Sequence, residues 1–251
     1  MKFKKKNKNM KKAVILLSGG LDSTTVCAVA KSQNRSILAL TIDYQQRHRF
    51  ELEAAKQIAK RFEVAEHIIF PINLRLFGGS SLTDDSIEVD QNVSFDQIGH
   101  SIPSSYVPAR NMIFLSLAVA FAETRQTEEI WLGVNNVDYS GYPDCRPAFL
   151  HSFEKTAKLA TKAGIEETST FQIKTPLLSL SKGDIIKLGL SLGVDYSMTR
   201  TCYSLDENGF SCGKCESCQL RLAGFREAGV DDPVPYINDI ETGMVNKRRI
   251  E

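Results

Sequence analysis

The chain has 251 residues, of which 42% are hydrophobic and 24% are charged, so it is long enough to bury one sizeable core and is not disordered throughout. Seven of the 31 basic residues are lysines between positions 2 and 12, which leaves 24 basic residues against 30 acidic ones and a net charge of −6 for the rest. This mildly acidic body excludes the broad basic face of nucleic-acid-binding domains, and we expect no direct nucleic-acid binding.

The sequence gives no sign of a membrane segment. The apolar stretch 13–17 is too short for the core of a secretory leader, and the apolar run 112–122 is too short to cross a bilayer. Four of the six cysteines are crowded between 202 and 218, which in a reducing compartment suggests metal binding and not disulfides. We therefore expect a cytoplasmic protein.

Strand and helix patterns alternate along the chain. Strands are predicted at 13–17, 36–42, 66–70 and 129–134, all of them largely apolar. Helices are predicted from near Asp22 or Ser23, from Phe50 to Phe62, and from Asn111 to about Arg125. The second of these is amphipathic, with Glu51 and Glu53 assigned to its polar side, and the third is predicted to be buried almost all round. The alternation predicts an α/β fold with a doubly wound parallel sheet.

The chain divides into three regions. We predict a disordered basic tail over 1–11, an α/β domain over 12–195, and a C-terminal region over 196–251 that contains the four crowded cysteines and packs on the same domain. Residues 73–107 form a long connection rich in Gly, Ser, Asp and Pro, and connections of this length are usually functional or mobile.

The stretch SGGLDS, residues 18–23, follows the first predicted strand. Its paired glycines allow a tight turn with exposed N–H groups, and its hydroxyls and the following helix N-terminus favour a phosphate. It is neither a Walker loop, which needs Gly-Lys-Ser/Thr, nor a dinucleotide fingerprint, which needs G-x-G-x-x-G. The alternative is a helix start capped by Asp22 or Ser23, which does not account for two glycines.

This stretch resembles the pyrophosphate loop of the PP-loop (adenine nucleotide α-hydrolase) superfamily. The resemblance implies cleavage of ATP between the α and β phosphates and transfer of AMP to a substrate oxygen. The residues expected to contact ATP are Leu16, Leu17, Ser18, Gly19, Gly20, Leu21, Asp22, Ser23, Thr24, Thr25, Val26 and Asp43. Asp43 ends the second strand and is alternatively an ordinary turn residue.

Further segments narrow the resemblance to the QueC family of 7-cyano-7-deazaguanine synthases. They are DYQQRH (43–48), IPSSYVPARNMIFLSLA (102–118), GVNNVDYSGYPDCRPAF (133–149), TPLLSLSKGDII (175–186) and TCYSLDENGFSCGKCESCQLR (201–221). The resemblance implies conversion of 7-carboxy-7-deazaguanine, ammonia and ATP to a nitrile through adenylated intermediates, in the queuosine precursor pathway. It also implies a homodimer.

We assign catalytic roles to Asp22, Ser23 and Arg110. Asp22 is a candidate ligand or outer-sphere partner for Mg²⁺, which offsets the charge of phosphoryl transfer. Arg110 is a candidate second contact for phosphate, because a guanidinium can bind an anion through two hydrogen bonds. The alternative for Arg110 is an ordinary surface arginine in the first turn of a helix.

Two segments supply candidates for substrate binding. Arg47 and His48 could contact phosphate or substrate, although a histidine at a helix start is more often structural. The stretch DYSGYPDCR could bind the heterocycle, its tyrosines by stacking and its carboxylates by accepting from ring N–H groups. Its candidates are Asp138, Tyr139, Tyr142 and Asp144, and the alternative is a turn enforced by Gly141 and Pro143.

Cys202, Cys212, Cys215 and Cys218 have the spacing C-x9-C-x2-C-x2-C. Two overlapping C-x2-C units suit tetrahedral Zn²⁺, and four thiolate ligands leave no position open, so the predicted zinc is structural. An iron–sulfur cluster is the main alternative, and disulfides do not suit the expected compartment.

Three function classes follow from these features. The leading one is an ATP-dependent ligase that forms a nitrile on a free base. The second is a tRNA-modifying PP-loop enzyme, which would need a basic face that the acidic body does not offer. The third is a nucleotide sensor without catalysis, which does not account for an intact SGGLDS loop.

Overall fold

The computed structural model describes residues 10–94, 98, 101–135, 141–168 and 170–237. Its centre is a five-stranded parallel sheet with the order β3-β2-β1-β4-β5. The strands are β1 (Lys12–Leu16), β2 (Ser36–Asp43), β3 (Glu66–Pro71), β4 (Glu129–Trp131) and β5 (Gln172–Lys174). The α-helices are α1 (Leu21–Ser32), α2 (Phe50–Arg61), α3 (Arg110–Thr124), α4 (Pro147–Ala160), α5 (Lys162–Ile165), α6 (Lys182–Ser191) and α7 (Glu216–Ala228). The predicted doubly wound α/β sheet is confirmed.

Alternate residues of β1 enter opposite sides of the sheet. Ala13 and Ile15 pack in the core formed with α1, α2 and α6, whereas Val14 and Leu16 pack in the core formed with α3 and α4. All four side chains are buried. Because both faces of β1 are covered, the strand has a continuous apolar sequence instead of an alternating one.

Two predicted elements differ from the structure. The strand expected over 129–134 ends at Trp131, because the residues after it turn to line a cavity at the end of the sheet. The helix expected to be buried all round exposes Met112, Ser116 and Ala120. A helix that lies on a sheet covers only the side facing the strands, so its uniformly apolar sequence did not mean uniform burial. In the part of the chain that the structure describes, no helix has the length and apolar character needed to cross a membrane.

A buried ion pair fixes α7 and the segment that follows it. The Arg221 guanidinium donates to both carboxylate oxygens of Asp232, at 2.7 and 2.9 Å, and to the hydroxyls of Thr199 and Thr201, at 2.7 and 2.9 Å. The two charged side chains are only 3% and 5% exposed. Arg221 therefore joins α7 to the stretch 199–201 before it and to Asp232 after it.

Asp232→Asn should lower the free energy of unfolding by about 3–5 kcal/mol, because it leaves the Arg221 guanidinium buried without its counter-charge. Urea denaturation followed by circular dichroism measures the change. Asp231→Asn is the matched control, since Asp231 is exposed, and it should change the free energy by no more than about 0.5 kcal/mol. Equal effects of the two substitutions would contradict the role of the ion pair.

Candidate active site

A cavity of about 220 Å³ opens beyond the carboxyl ends of β1, β2 and β4. Doubly wound sheets bind ligands where the strand order reverses, which here is the gap between β1 and β4. The cavity has an apolar lining that includes Leu40, Ile42, Phe114 and Leu132. Polar groups, including Ser18, Asp22 and Arg110, line the rest of the cavity. The cavity therefore suits a ligand that combines a flat apolar ring with charged groups.

The loop between β1 and α1 is shaped by a left-handed glycine. Gly19 has φ +87°, and a Cβ at this position would lie 2.8 Å from the backbone nitrogen of Ala55 and also overlap the carbonyl oxygen of Glu51. Only glycine permits this conformation next to the α2 backbone. The loop therefore packs directly on the first turns of α2.

Hydrogen bonds hold the loop in place ahead of α1. The Ser18 and Ser23 hydroxyls lie 3.0 Å apart, and the Ser23 hydroxyl also donates to the carbonyl oxygen of Gly20 at 3.1 Å. The N–H of Gly20 donates to the Ser18 hydroxyl at 3.3 Å. Because the 12-residue helix α1 starts at the next residue, its free N–H groups and positive dipole end favour an anion at the cavity.

Most of the predicted ATP contacts line the cavity. They are Leu16, Leu17, Ser18, Gly20, Leu21, Asp22 and Ser23. Gly19 instead packs on α2. Asp43 lies at the end of β2 and accepts hydrogen bonds from the Gln45 N–H at 3.1 Å and from Arg49 at 3.3 Å, which matches the alternative of a turn residue.

The expectation that Thr24 and Thr25 donate to phosphate differs from their observed geometry. The Thr24 hydroxyl donates to the Gly20 carbonyl at 2.7 Å and the Thr25 hydroxyl to the Leu21 carbonyl at 3.0 Å. Hydroxyls beyond the first turn of a helix commonly bond the carbonyl four residues earlier, as these do. Val26 is fully buried in the core below them, so all three lie outside the cavity lining.

Asp22 is held by a lysine that the sequence analysis did not single out. The Lys182 ammonium donates to both carboxylate oxygens of Asp22, at 2.9 and 3.0 Å, and its side chain is 7% exposed. Lys182 is the first residue of α6, within the quoted segment TPLLSLSKGDII. The segment was recognised, but nothing in it showed that its lysine reaches across to α1.

Arg110, at the start of α3, faces Tyr44 and Glu51 across the cavity. Its guanidinium carbon lies 5.9 Å from the centre of the Tyr44 ring. Burial lowers the pKa of Arg110, but attraction to nearby hydroxyl and carboxyl groups outweighs burial and the pKa is raised. Arg110 is therefore a permanent cation in the cavity lining and is not a surface arginine.

Glu51 is a cavity residue that the sequence analysis did not single out. It was assigned to the polar side of α2, yet it lines the cavity. Burial raises the pKa of Glu51 to about 7, and the positive charge of Arg110 opposes that rise. Helical periodicity separates buried from exposed faces, and it contains no information about a cavity that meets the end of the helix.

Tyr142 and Asp144, two of the predicted substrate contacts, have different positions in the structure. Tyr142 lines the cavity, and its hydroxyl is 2.8 Å from that of Ser105. Asp144 is buried and accepts from the Asn111 N–H at 2.8 Å, so it holds the first turn of α3. Asp138 and Tyr139 lie outside the described residues.

Arg47 and His48 lie outside the cavity lining. Arg47 donates to the carbonyl oxygen of Ile87 at 3.3 Å and pairs with Asp85 at 3.6 Å, so it attaches the long connection 73–107 to the loop between β2 and α2. Burial and the charge of Arg47 lower the pKa of His48. The assignment of Arg47 and His48 to substrate or phosphate therefore stays a prediction. Three residues that the sequence analysis did not name as ligand contacts line the cavity instead. They are Asn135, Arg200 and Tyr203.

The four predicted metal ligands converge. The sulfur atoms of Cys202, Cys212, Cys215 and Cys218 lie within 4.8 Å of one another, and all four residues are buried. Backbone N–H groups of Ser204 and Cys212 donate to the Cys202 sulfur, each at 3.3 Å. Such bonds stabilise thiolates, and four converging thiolates are compatible with a structural Zn²⁺.

Comparison with known proteins identifies relatives of this chain. A family model described as "Queuosine biosynthesis protein QueC" matches residues 12–229. A 7-cyano-7-deazaguanine synthase of Pseudomonas fluorescens (strain SBW25) is 54% identical over 228 residues, which cover 91% of this chain and 99% of that protein. One of Pseudomonas aeruginosa (strain LESB58) is 53% identical over 228 residues, with the same coverage of 91% and 99%. Among solved structures, NMN synthetase from Francisella tularensis aligns with a TM-score of 0.46 and 18% identity, covering 94% of this chain and 79% of that chain.

Gly19→Ala should destabilise the protein by at least about 1–3 kcal/mol, because a side chain in this backbone region is strained even before the contact with α2 is counted. Thermal and urea unfolding measure the loss. Gly20→Ala is the matched control in the same loop, since its Cβ would meet no atom closer than 3.4 Å. A smaller loss for Gly19→Ala than for Gly20→Ala would contradict this account.

Proposed function

The chain belongs to the QueC family and is a carbon–nitrogen ligase, and we propose that it converts 7-carboxy-7-deazaguanine and ammonia to 7-cyano-7-deazaguanine with ATP. One observation carries the proposal: the SGGLDS loop and the Arg110 cation line the same cavity as a set of apolar side chains that includes Leu40, Ile42, Phe114 and Leu132. Phosphates and a flat heterocyclic acid can therefore meet in one place.

The first step activates the carboxylate. One of its oxygens attacks the α phosphorus of ATP, the bond to the bridging oxygen breaks, and pyrophosphate leaves with the electron pair. The N–H groups of the loop and of the first turn of α1 stabilise the departing pyrophosphate, and Arg110 provides a further positive charge. The product is an acyl adenylate, in which AMP is a good leaving group.

The second step joins nitrogen to carbon. Ammonia attacks the carbonyl carbon, AMP leaves, and the nitrogen loses a proton to give the amide. A second adenylation on the amide oxygen allows AMP to leave again, and loss of the remaining N–H protons gives the nitrile. The same loop serves both rounds, because the reaction at phosphorus is the same.

Mg²⁺ is part of the proposal. Asp22 and Ser23 supply oxygen atoms in the cavity, which is the donor type that Mg²⁺ binds. When bound, the ion would offset charge on the phosphates. Lys182 fixes the Asp22 carboxylate through both oxygens, so Asp22 is oriented before a nucleotide arrives.

Zn²⁺ is the metal that we propose for the four-cysteine cluster. With every position of a tetrahedral ion taken by sulfur, it would hold the C-terminal region in place and take no part in the reaction. None of the six cysteines forms a disulfide, and the cytoplasmic location is part of the proposal, because thiols persist in a reducing compartment. The homodimer and the boundary between 195 and 196 remain predictions.

The substrate assay tests the proposed function directly. Incubation with 7-carboxy-7-deazaguanine, ammonium, Mg²⁺ and ATP should yield the nitrile together with AMP and pyrophosphate, as chromatography and a pyrophosphate assay would show. Release of ADP and phosphate would contradict the proposed scissile bond. Asp22→Asn should lower turnover by about 10²-fold or more, because it removes the carboxylate that would hold Mg²⁺ at the phosphates. The exposed Asp184 supplies the control, Asp184→Asn, which should retain activity.

Cys215→Ser should lower the bound zinc and the melting temperature, because it removes one of four ligands of a structural ion. Elemental analysis and a thermal scan measure both. Cys27→Ala is the control, since Cys27 is a buried thiol in the core that lies outside the cluster, and its zinc content should not change. Strong visible absorbance of the purified protein would indicate an iron–sulfur cluster and contradict the zinc assignment.

A further inference from the structure

The proposed reaction needs a proton acceptor beside the nitrogen. Ammonia carries three hydrogens and the nitrile nitrogen carries none. Protons must therefore leave nitrogen as the C–N bond forms and as it becomes a triple bond. Water can accept them in open solvent. A cavity that shields an acyl adenylate from hydrolysis gains from a protein group that does so.

Three other titratable side chains of the cavity are poorly suited to this role. Asp22 is bound through both carboxylate oxygens to Lys182. Burial raises the pKa of the Cys145 thiol to about 12 and that of the Tyr44 phenol to about 12. These two groups are therefore protonated near neutral pH and cannot accept a proton.

Glu51 differs from these groups, because its carboxylate is not bound to a lysine and its pKa is close to neutral pH. It lies in the first turn of α2, beside the loop that holds Gly19, and it contributes to the cavity lining. Within residues 10–94, 101–135, 141–168 and 170–237, no hydrogen bond to its carboxylate is present, in contrast to Asp22 and Asp144. Its carboxylate is available to a ligand.

The charged and titratable groups near Glu51 belong to several elements of the fold. Arg110 of α3 is the cation that acts on it, and Tyr44 at the end of β2 is the neighbouring phenol. The cavity lining also contains the titratable or charged groups Asp22, Tyr142, Cys145, Arg200 and Tyr203. The Arg110 cation stabilises the carboxylate form, while burial favours the neutral acid.

We propose that Glu51 is the general base that accepts protons from the attacking nitrogen, an inference that rests on the proposed function. As ammonia bonds to the acyl carbon, a nitrogen proton passes to a Glu51 carboxylate oxygen, and the electron pair of the breaking C–O bond leaves with AMP. In the second round Glu51 accepts an N–H proton as the adenylated amide becomes the nitrile. Between these steps the acid returns its proton to solvent through the open side of the cavity.

The pKa of Glu51, about 7, agrees with this role. A general base works best when its pKa is close to the operating pH, because it is then ionised and still basic. The carboxylate form increases as pH rises through 7. At a fixed concentration of free ammonia, the rate of nitrile formation should therefore rise through the same range and then level off.

Glu51→Gln is the decisive substitution, because it keeps the shape of the side chain and removes its ability to accept a proton. It should lower nitrile formation by about 10²- to 10⁴-fold and remove the rise with pH. Exchange of labelled pyrophosphate into ATP, dependent on the acid and measured without ammonia, should stay within a few-fold of wild type. Glu51→Asp should keep the rise with pH at a reduced rate.

Glu53→Gln is the matched control, since Glu53 is an exposed carboxylate two residues away that pairs with Lys56, and it should behave as wild type. Two outcomes would overturn the role of Glu51: unchanged nitrile formation by Glu51→Gln, or a loss of pyrophosphate exchange as large as the loss of nitrile. If the wild-type protein itself shows no acid-dependent exchange, the proposed function fails and the inference fails with it. The wild-type exchange therefore separates the two failures.

Discussion

The close approach of the loop after β1 to the α2 backbone is the constraint on which the candidate site depends. It exists because Gly19 has φ +87° and no side chain, with the Ala55 nitrogen only 2.8 Å from where a Cβ would be. The approach aligns the loop with the N-terminus of α1, and it also brings Glu51 to the same cavity. A single backbone conformation thus positions both the anion site and the neighbouring carboxyl group.

Two pairs of charged residues contribute to the polar side of the cavity. On one side Lys182 binds Asp22 through two short hydrogen bonds, which fixes a carboxylate at the start of α1. On the other side, the positive charge of Arg110 acts on the Glu51 carboxyl group electrostatically, and no hydrogen bond joins these two described residues. The first pair is rigid and the second leaves both members open to a ligand, a difference that suits one to orientation and the other to binding and proton transfer.

The cysteine cluster contributes to the cavity indirectly. Thr201 and Tyr203 flank Cys202, Ser217 precedes Cys218, and all three of these neighbours line the cavity. The long connection also attaches here, since the Asn92 N–H donates to the carbonyl of Lys214 at 2.8 Å. A metal bound by the four thiolates would therefore set one wall of the cavity without entering it.

The sequence by itself determined four of the five strands, the loop and the cysteine cluster. Each is a local pattern: apolar runs for strands such as β1 and β2, two glycines after a strand, and cysteines at fixed spacing. Residues with a role set by distant partners were the ones it missed or misplaced. Lys182 lies 160 positions from Asp22, and Glu51 has the sequence context of an ordinary polar residue on a helix. Thr24 and Thr25 have hydroxyls suited to phosphate, yet only the helix geometry showed that they donate instead to the carbonyls of Gly20 and Leu21. Local spacing specifies elements and short ligand sets, whereas burial, pairing and a shared cavity arise only when strands distant in sequence become neighbours in one sheet.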